Sequence, residues 1–348
     1  MAHGRRWFLT RCSILAALCL LLVCLTVGFP RLLPGGGIIA YTNDTDGIPD
    51  LYVLDVARTY RVNLTRTPTQ SEMRPTWSPD GMRLAFERDE QGLHQLCVLE
   101  IARQIRCFPP FGFFDNSPVW SPDGRWIVFN SAGTVGGNLS VLNTLTGEVH
   151  PLNLITQEVR RAYSWSPDSA RLAFSEFGSD GYVGLSILDF ASGEVVRRLP
   201  DERARDLVPV WSPDGEWIAF MSDAGFGYHV YVVNPDETSS SRQLTDESGY
   251  DLSLHWSPDG SKLLLVSARG EDDFELSLLN PETGEMRALT DNAALDERPT
   301  WSPDGQWIAF TSNRDGGDVN IYVMNADGSD VRRLTFDRGR NTDPAWRP

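Results

Sequence analysis

From Ile38 to the C-terminus, short β-rich apolar runs alternate with clusters of Gly, Pro, Asn, Asp and Ser. Arg298–Thr335 shows the pattern most plainly. "RPTW" carries Pro299 and can be a strand only where a missing N–H is harmless. "SPDG" supplies Pro, Asp and Gly in the order required by a turn that ends in a positive-φ residue. "QWIAFTS" and "VNIYVMN" flank the loop "NRDGGD", and "ADGSD" leads into a last run, "VRRLT". Four short antiparallel strands are the content of one propeller blade. No stretch has the 3.6-residue apolar spacing of a helical repeat.

The unit recurs. "WSPDG" begins at Trp77, Trp120, Trp211, Trp256 and Trp301, and "WSPDS" at Trp165. Together with Trp346, these tryptophans are separated by 43, 45, 46, 45, 45 and 45 residues. A fixed period of this size identifies a repeat architecture. Ser169 replaces the turn glycine in one unit, at an expected cost of about 1 kcal/mol where φ must be positive. The final "DPAW" supplies an innermost strand alone. "IIAYTND" (Ile38–Asp44), "PDLYVLDV" (Pro49–Val56) and "YRVNLT" (Tyr60–Thr65) supply the second, third and fourth strands of a unit that lacks its first. The expected fold is therefore all-β: a seven-bladed β-propeller with one blade shared between the N- and C-terminal strands. Such closure leaves no open sheet edge.

Residues 1–29 are of another kind. Arg5, Arg6 and Arg11 precede "CSILAALCLLLVCLTVGF" (Cys12–Phe29), an uncharged run near the lower limit for spanning a bilayer. A transmembrane or signal-anchor helix is expected, or else a cleaved signal peptide followed by secretion. The arginines on its N-terminal side place the body outside the cytoplasm. Residues 30–37 read as a linker and residues 38–348 as the propeller.

Charge narrows the partners. The net charge is −16, but residues 1–34 hold four Arg and no acid, which leaves −20 on the remainder. An acidic body without a basic stripe disfavours nucleic acid and suits a basic peptide or a cation. No P-loop, G-x-S-x-G elbow or dinucleotide fingerprint occurs in the body, so a binding role is expected ahead of an enzymatic one.

The string WSPDGQWIAFTSNRDGGDVNIYVMNADGSDVRRLT (Trp301–Thr335) resembles the TolB-like (PD-type, WD-repeat-like) β-propeller repeat of bacterial envelope proteins. The resemblance covers about Ile38 to Pro348. It implies a propeller in the periplasm or outside the cell that binds an envelope protein. Oligogalacturonate lyases carry similar repeats and bind a divalent metal in the channel funnel, which implies the alternative of a polysaccharide lyase or hydrolase.

Several residue sets follow from the period. The motif tryptophans and the Asp of each "SPD" are structural: they fill space between blades and satisfy turn amides. Five residues before each Trp stand Glu72, Asp115, Arg160, Asp206, Asp251, Asp296 and Asn341. On loops leading into the innermost strands, they would ring one mouth of the channel and bind a basic partner or a divalent cation. The other reading makes them local turn formers. His255 is the one histidine expected near the channel and the weak seed of a metal site; no cofactor is otherwise implied. Cys97 and Cys107 oppose each other across a hairpin centred near Ala102 and could form a disulfide outside the cytoplasm. A monomer is expected.

Overall fold

A computed structural model describes residues 37–348 apart from 59, 101–103, 110–113, 133–136, 153–158, 178–182, 199–204, 226, 238–240, 246–249 and 271–272. The N-terminal segment and its linker up to residue 36 lie outside the described residues. Every regular element within them is a strand, and the strands form seven four-stranded antiparallel blades.

Blade 1 is the shared one. Its innermost strand, Asn341–Trp346, pairs with Ile38–Asn43, which pairs in turn with Asp50–Asp55 and then Tyr60–Asn63. The innermost strands of blades 2 to 7 are Ser71–Trp77, Phe114–Trp120, Val159–Trp165, Asp206–Trp211, Tyr250–Trp256 and Asp296–Trp301. A parallel bridge between His94 and Phe114 links blades 2 and 3. Equivalent bridges join Val183 to Arg205 and Phe274 to Leu295.

The core is not central. Each blade buries both faces against its neighbours, and a hydrophobic cluster fills the space between every adjacent pair. The period-two alternation of each second strand explains this. Leu84 and Phe86 face blade 1, whereas Ala85 faces blade 3. Blade 1 closes the ring by joining two of these clusters, one with Trp77 and one with Trp346.

Four of the seven motif tryptophans hydrogen-bond one blade to the next. The Trp120 and Trp256 indoles donate to the carbonyls of Thr76 and Val210, each the residue before the preceding motif Trp. Trp346 does the same to Thr300, and Trp77 to Ala345, which carries the pattern across the seam between the chain ends. At the same seam Arg347 lies 5.4 Å over the Trp77 ring and donates to the Gly81 carbonyl.

Each turn is braced first by its own side chains. The Ser257 hydroxyl donates to Asp259 and accepts from the Lys262 amide, while Asp259 accepts from the Ser261 amide. The hydrogen bond from Ser166 and the Ala170 amide hold Asp168 below the usual carboxylate range, and the same groups act at Asp259. A depressed carboxylate stabilises the fold above its unfolded-state pKa, and that contribution is lost as pH falls through the folded value.

Ser169 adopts φ 61°, close to the 64° to 78° of its glycine counterparts Gly81, Gly124, Gly215, Gly260 and Gly305. Its hydroxyl accepts from the Asp123 amide of the preceding blade at 3.0 Å, an interaction glycine cannot make. Ser169→Ala keeps the left-handed strain but loses that bond, so it should cost about 1 kcal/mol. Ser169→Gly exchanges strain for the bond and should be nearly neutral. Denaturant midpoints of the two variants check the order, and an alanine variant as stable as the glycine one would contradict it.

Candidate binding site in the central channel

The innermost strands are edge strands whose outer side faces the channel, so proline is tolerated there. Pro75, Pro118, Pro209, Pro299 and Pro344 each stand two residues before a motif Trp. The residue ahead of each proline has a left-handed backbone: Arg74, Ser117, Val208, Arg298 and Asp343, at φ 51° to 56°. For arginine, and more so for β-branched valine, this conformation costs on the order of 1 kcal/mol or more.

The pairing register explains the strain. Glu72 and Met73 face Arg88 and Glu87, but Thr76 and Trp77 face Ala85 and Leu84, so one extra residue is accommodated between the pairs. The same slip occurs in the innermost strands of blades 1, 3, 5, 6 and 7. A bulge of this kind re-aims side chains. In a regular strand the fifth, third and first residues before the Trp would share one face. With the bulge, the third and first line the channel in blades 6, 7 and 1, and the fifth turns into the blade.

For four of its seven residues the expected rim is therefore corrected. Glu72 is fully buried and accepts from Arg88 Nε at 3.0 Å and Thr67 Oγ1 at 2.7 Å. Asp251 accepts from Thr245 and Ser267 hydroxyls at 2.9 and 2.8 Å. Asp296 accepts from Asn292 Nδ2 and Arg314 Nη2, both at 2.8 Å. Asn341 accepts from Asn43 Nδ2 at 2.8 Å. These four are buried and fasten the start of each innermost strand to its own blade. Burial pushes the Glu72 carboxyl up, against the Thr67 hydrogen bond and the Arg88 charge, and it pushes Asp251 up likewise. They lie on strands, not loops. Asp206 opens its strand opposite Ser222 and is half-buried. The side chains of Asp115 and Arg160 lie outside the described residues. In the blade of Arg160 the register slips by two, so Val159 stands opposite Glu176.

A cavity of about 560 Å³ occupies the channel between the innermost strands of blades 1, 2, 6 and 7. Leu252, Ser253, His255, Glu297, Arg298 and Asp343 are among its lining residues. Arg298 and Asp343 form an ion pair across neighbouring blades, with the Arg298 side chain half exposed. In blade 2, Arg74 pairs with buried Glu87 at 2.8 Å, and His94 Nδ1 lies 2.6 Å from the other Glu87 oxygen. The channel wall thus mixes both signs of charge. His255 lies on this wall, where desolvation lowers its pKa to about 4 and keeps the imidazole neutral at neutral pH.

The metal reading fits poorly. Among the described residues no three His, Cys, Asp or Glu side chains converge in a way that could hold a metal ion. Asp251 and Asp296 do not join His255, because each is committed to partners inside its blade. Elsewhere, Cys97 and Cys107 are directly opposed and joined in a disulfide.

The TolB beta propeller domain family, PD40, matches residues 116–251 and 237–348, together more than half of the chain. The chain belongs to the TolB β-propeller family. Solved structures agree on its fold. TolB from Acinetobacter baumannii is 20% identical, with a TM-score of 0.59, covering 86% of this chain and 79% of its own. An oligogalacturonate lyase in complex with manganese is 19% identical, with a TM-score of 0.64 and 86% of each chain covered. The lyase from Vibrio parahaemolyticus is 18% identical, with a TM-score of 0.61 and 86% and 84% covered. At these identities the likeness is one of fold. The TolB-like repeat was legible from its tryptophans. Apart from His255, its channel residues were missed, although in five blades a Pro two residues before the Trp marks the bulge that exposes them.

Proposed function

We propose that this TolB-like propeller is a binding scaffold. It is held at the bacterial cell membrane by residues 12–29, with the body in the periplasm or outside the cell, or is released there after signal cleavage. It works as a monomer that takes an envelope protein or a basic segment of one into its channel. One observation carries this reading: a strained bulge, repeated in five blades, places side chains such as Arg298 and Asp343 on the channel wall. Strain of this kind persists only where the surrounding structure over-determines it, and it clusters at ligand-binding sites. The half-exposed Arg298–Asp343 pair adds little stability. Replacing both by Ala should therefore shift the Tm by no more than about 1–2 °C, while pull-down of the envelope partner by the full-length protein is lost. A double variant that keeps its partner would contradict the proposal.

The disulfide supports the compartment, because such bonds persist in oxidising surroundings. Maleimide without reductant should label neither Cys97 nor Cys107, and stoichiometric labelling of both would remove this support.

The fold shared with a lyase in complex with manganese keeps a channel enzyme as the second reading. The described residues do not supply its metal site, and a metal-content assay on the purified protein tests it.

A further inference from the structure

A second cavity, of about 620 Å³, lies on blade 1 away from the channel. Tyr52 on the third strand and Tyr60, Arg61 and Asn63 on the outermost strand line it, with Asp46 and Arg66 from the adjoining loops. The connection through Arg66 runs into the start of the Ser71–Trp77 strand, so the cavity opens on the face where the innermost strands begin.

Its chemistry is specific. Tyr60 is 60% exposed, and an aromatic ring left so open beside a cavity is an available apolar platform. Asp46 and Arg66 are exposed, and among the described residues no hydrogen bond or ion pair engages either side chain. Arg61 is held in place by Asp337, while Asp50 is used internally by Asn63, Thr65 and Thr67. Two acids and two arginines line the space, so their formal charges cancel. Behind Tyr52, at 5.6 Å between ring centroids, Tyr41 is fully buried with a hydroxyl that has no hydrogen-bond partner. Buried polar atoms of this kind are normally satisfied by protein or by ordered water, and Tyr41 stands behind the cavity wall, not on it.

We propose that this cavity binds a neutral saccharide. A ligand rich in hydroxyls and without charge matches a lining whose carboxylate and guanidinium can each pair with neighbouring hydroxyls. The flat face of a sugar ring matches the Tyr60 platform. The volume falls within the range of small-molecule sites. An anion or a cation would meet as much repulsion as attraction here. The site is independent of the channel, and either can fail without the other.

Saturation-transfer NMR on the full-length protein with maltose, cellobiose and lactose tests the site. At least one should bind with a Kd of about 1 mM. Tyr60→Ala should weaken that binding by about tenfold or more at unchanged Tm, because the ring is exposed and its loss leaves no void. Arg298→Ala, in the channel, should leave it unchanged. The proposal is overturned by the absence of any disaccharide binding below about 10 mM. It is also overturned by undiminished binding in Tyr60→Ala, or by binding of glucuronate alone.

Discussion

Deleting Asn341–Pro348 should abolish the cooperative fold. The second strand of blade 1, Ile38–Asn43, is buried along its whole length and pairs with Asn341–Trp346 on its channel side. Without that partner it becomes an exposed apolar sheet edge, a template for aggregation. The loss also removes Trp346 from the blade 7–blade 1 cluster and the Ala345 carbonyl that receives the Trp77 indole. Trp346 alone is worth about 3–5 kcal/mol, a large share of a typical domain's stability. The truncated protein should lack a sharp calorimetric transition and should regain one on adding a peptide spanning residues 339–348, by strand addition. A truncated protein that melts with the full-length chain would show that the ring does not depend on its shared blade.

Asp296→Ala should be the most damaging single change in the column read from the sequence as a rim. Asp296 has no exposed surface and holds Arg314, whose guanidinium also lies 5.1 Å over Phe310 and 5.0 Å over Tyr322. Removing the carboxylate strands Asn292 and half of the partly exposed Arg314 guanidinium, which keeps its bond to Ser312, at a cost of about 2–4 kcal/mol. The Tm should fall by about 3–6 °C. The exposed Asp327, which caps Ser329 in a surface turn, provides the comparison: Asp327→Ala should cost less than about 1 kcal/mol. Equal melting of the two variants would return Asp296 to the solvent-facing role expected from the period alone.

The fold was legible because its determinants are local and repeated. A tryptophan, a turn and alternating apolar residues recur at one spacing, and the incomplete units at the two ends add up to one blade. The candidate site was legible only in position. Counting back from Trp256 or Trp301 finds the right strand but assumes unbroken alternation, and one bulge residue inverts the outcome. Asp251 and Asp296 turn inward to Thr245 and Arg314, while Ser253 and Arg298 face the channel. Nothing in residue type announces this, since an aspartate on a strand reads as solvent-facing until its buried partners are known. Pro299 and Pro344 were the local sign: each removes a ladder donor at the point where the register slips.

Thiol accessibility tests the inverted register most directly. Arg298→Cys and Asn341→Cys place single new thiols in full-length protein with the Cys97–Cys107 bond intact. Position 298 lines the channel and is half exposed, whereas Asn341 has no exposed surface. Under native conditions maleimide should label position 298 about 100-fold faster, because the buried thiol reacts only through local opening. Labelling at position 341 as fast as at 298 would mean that the fifth residue before the tryptophan does face the channel, and the account would fail.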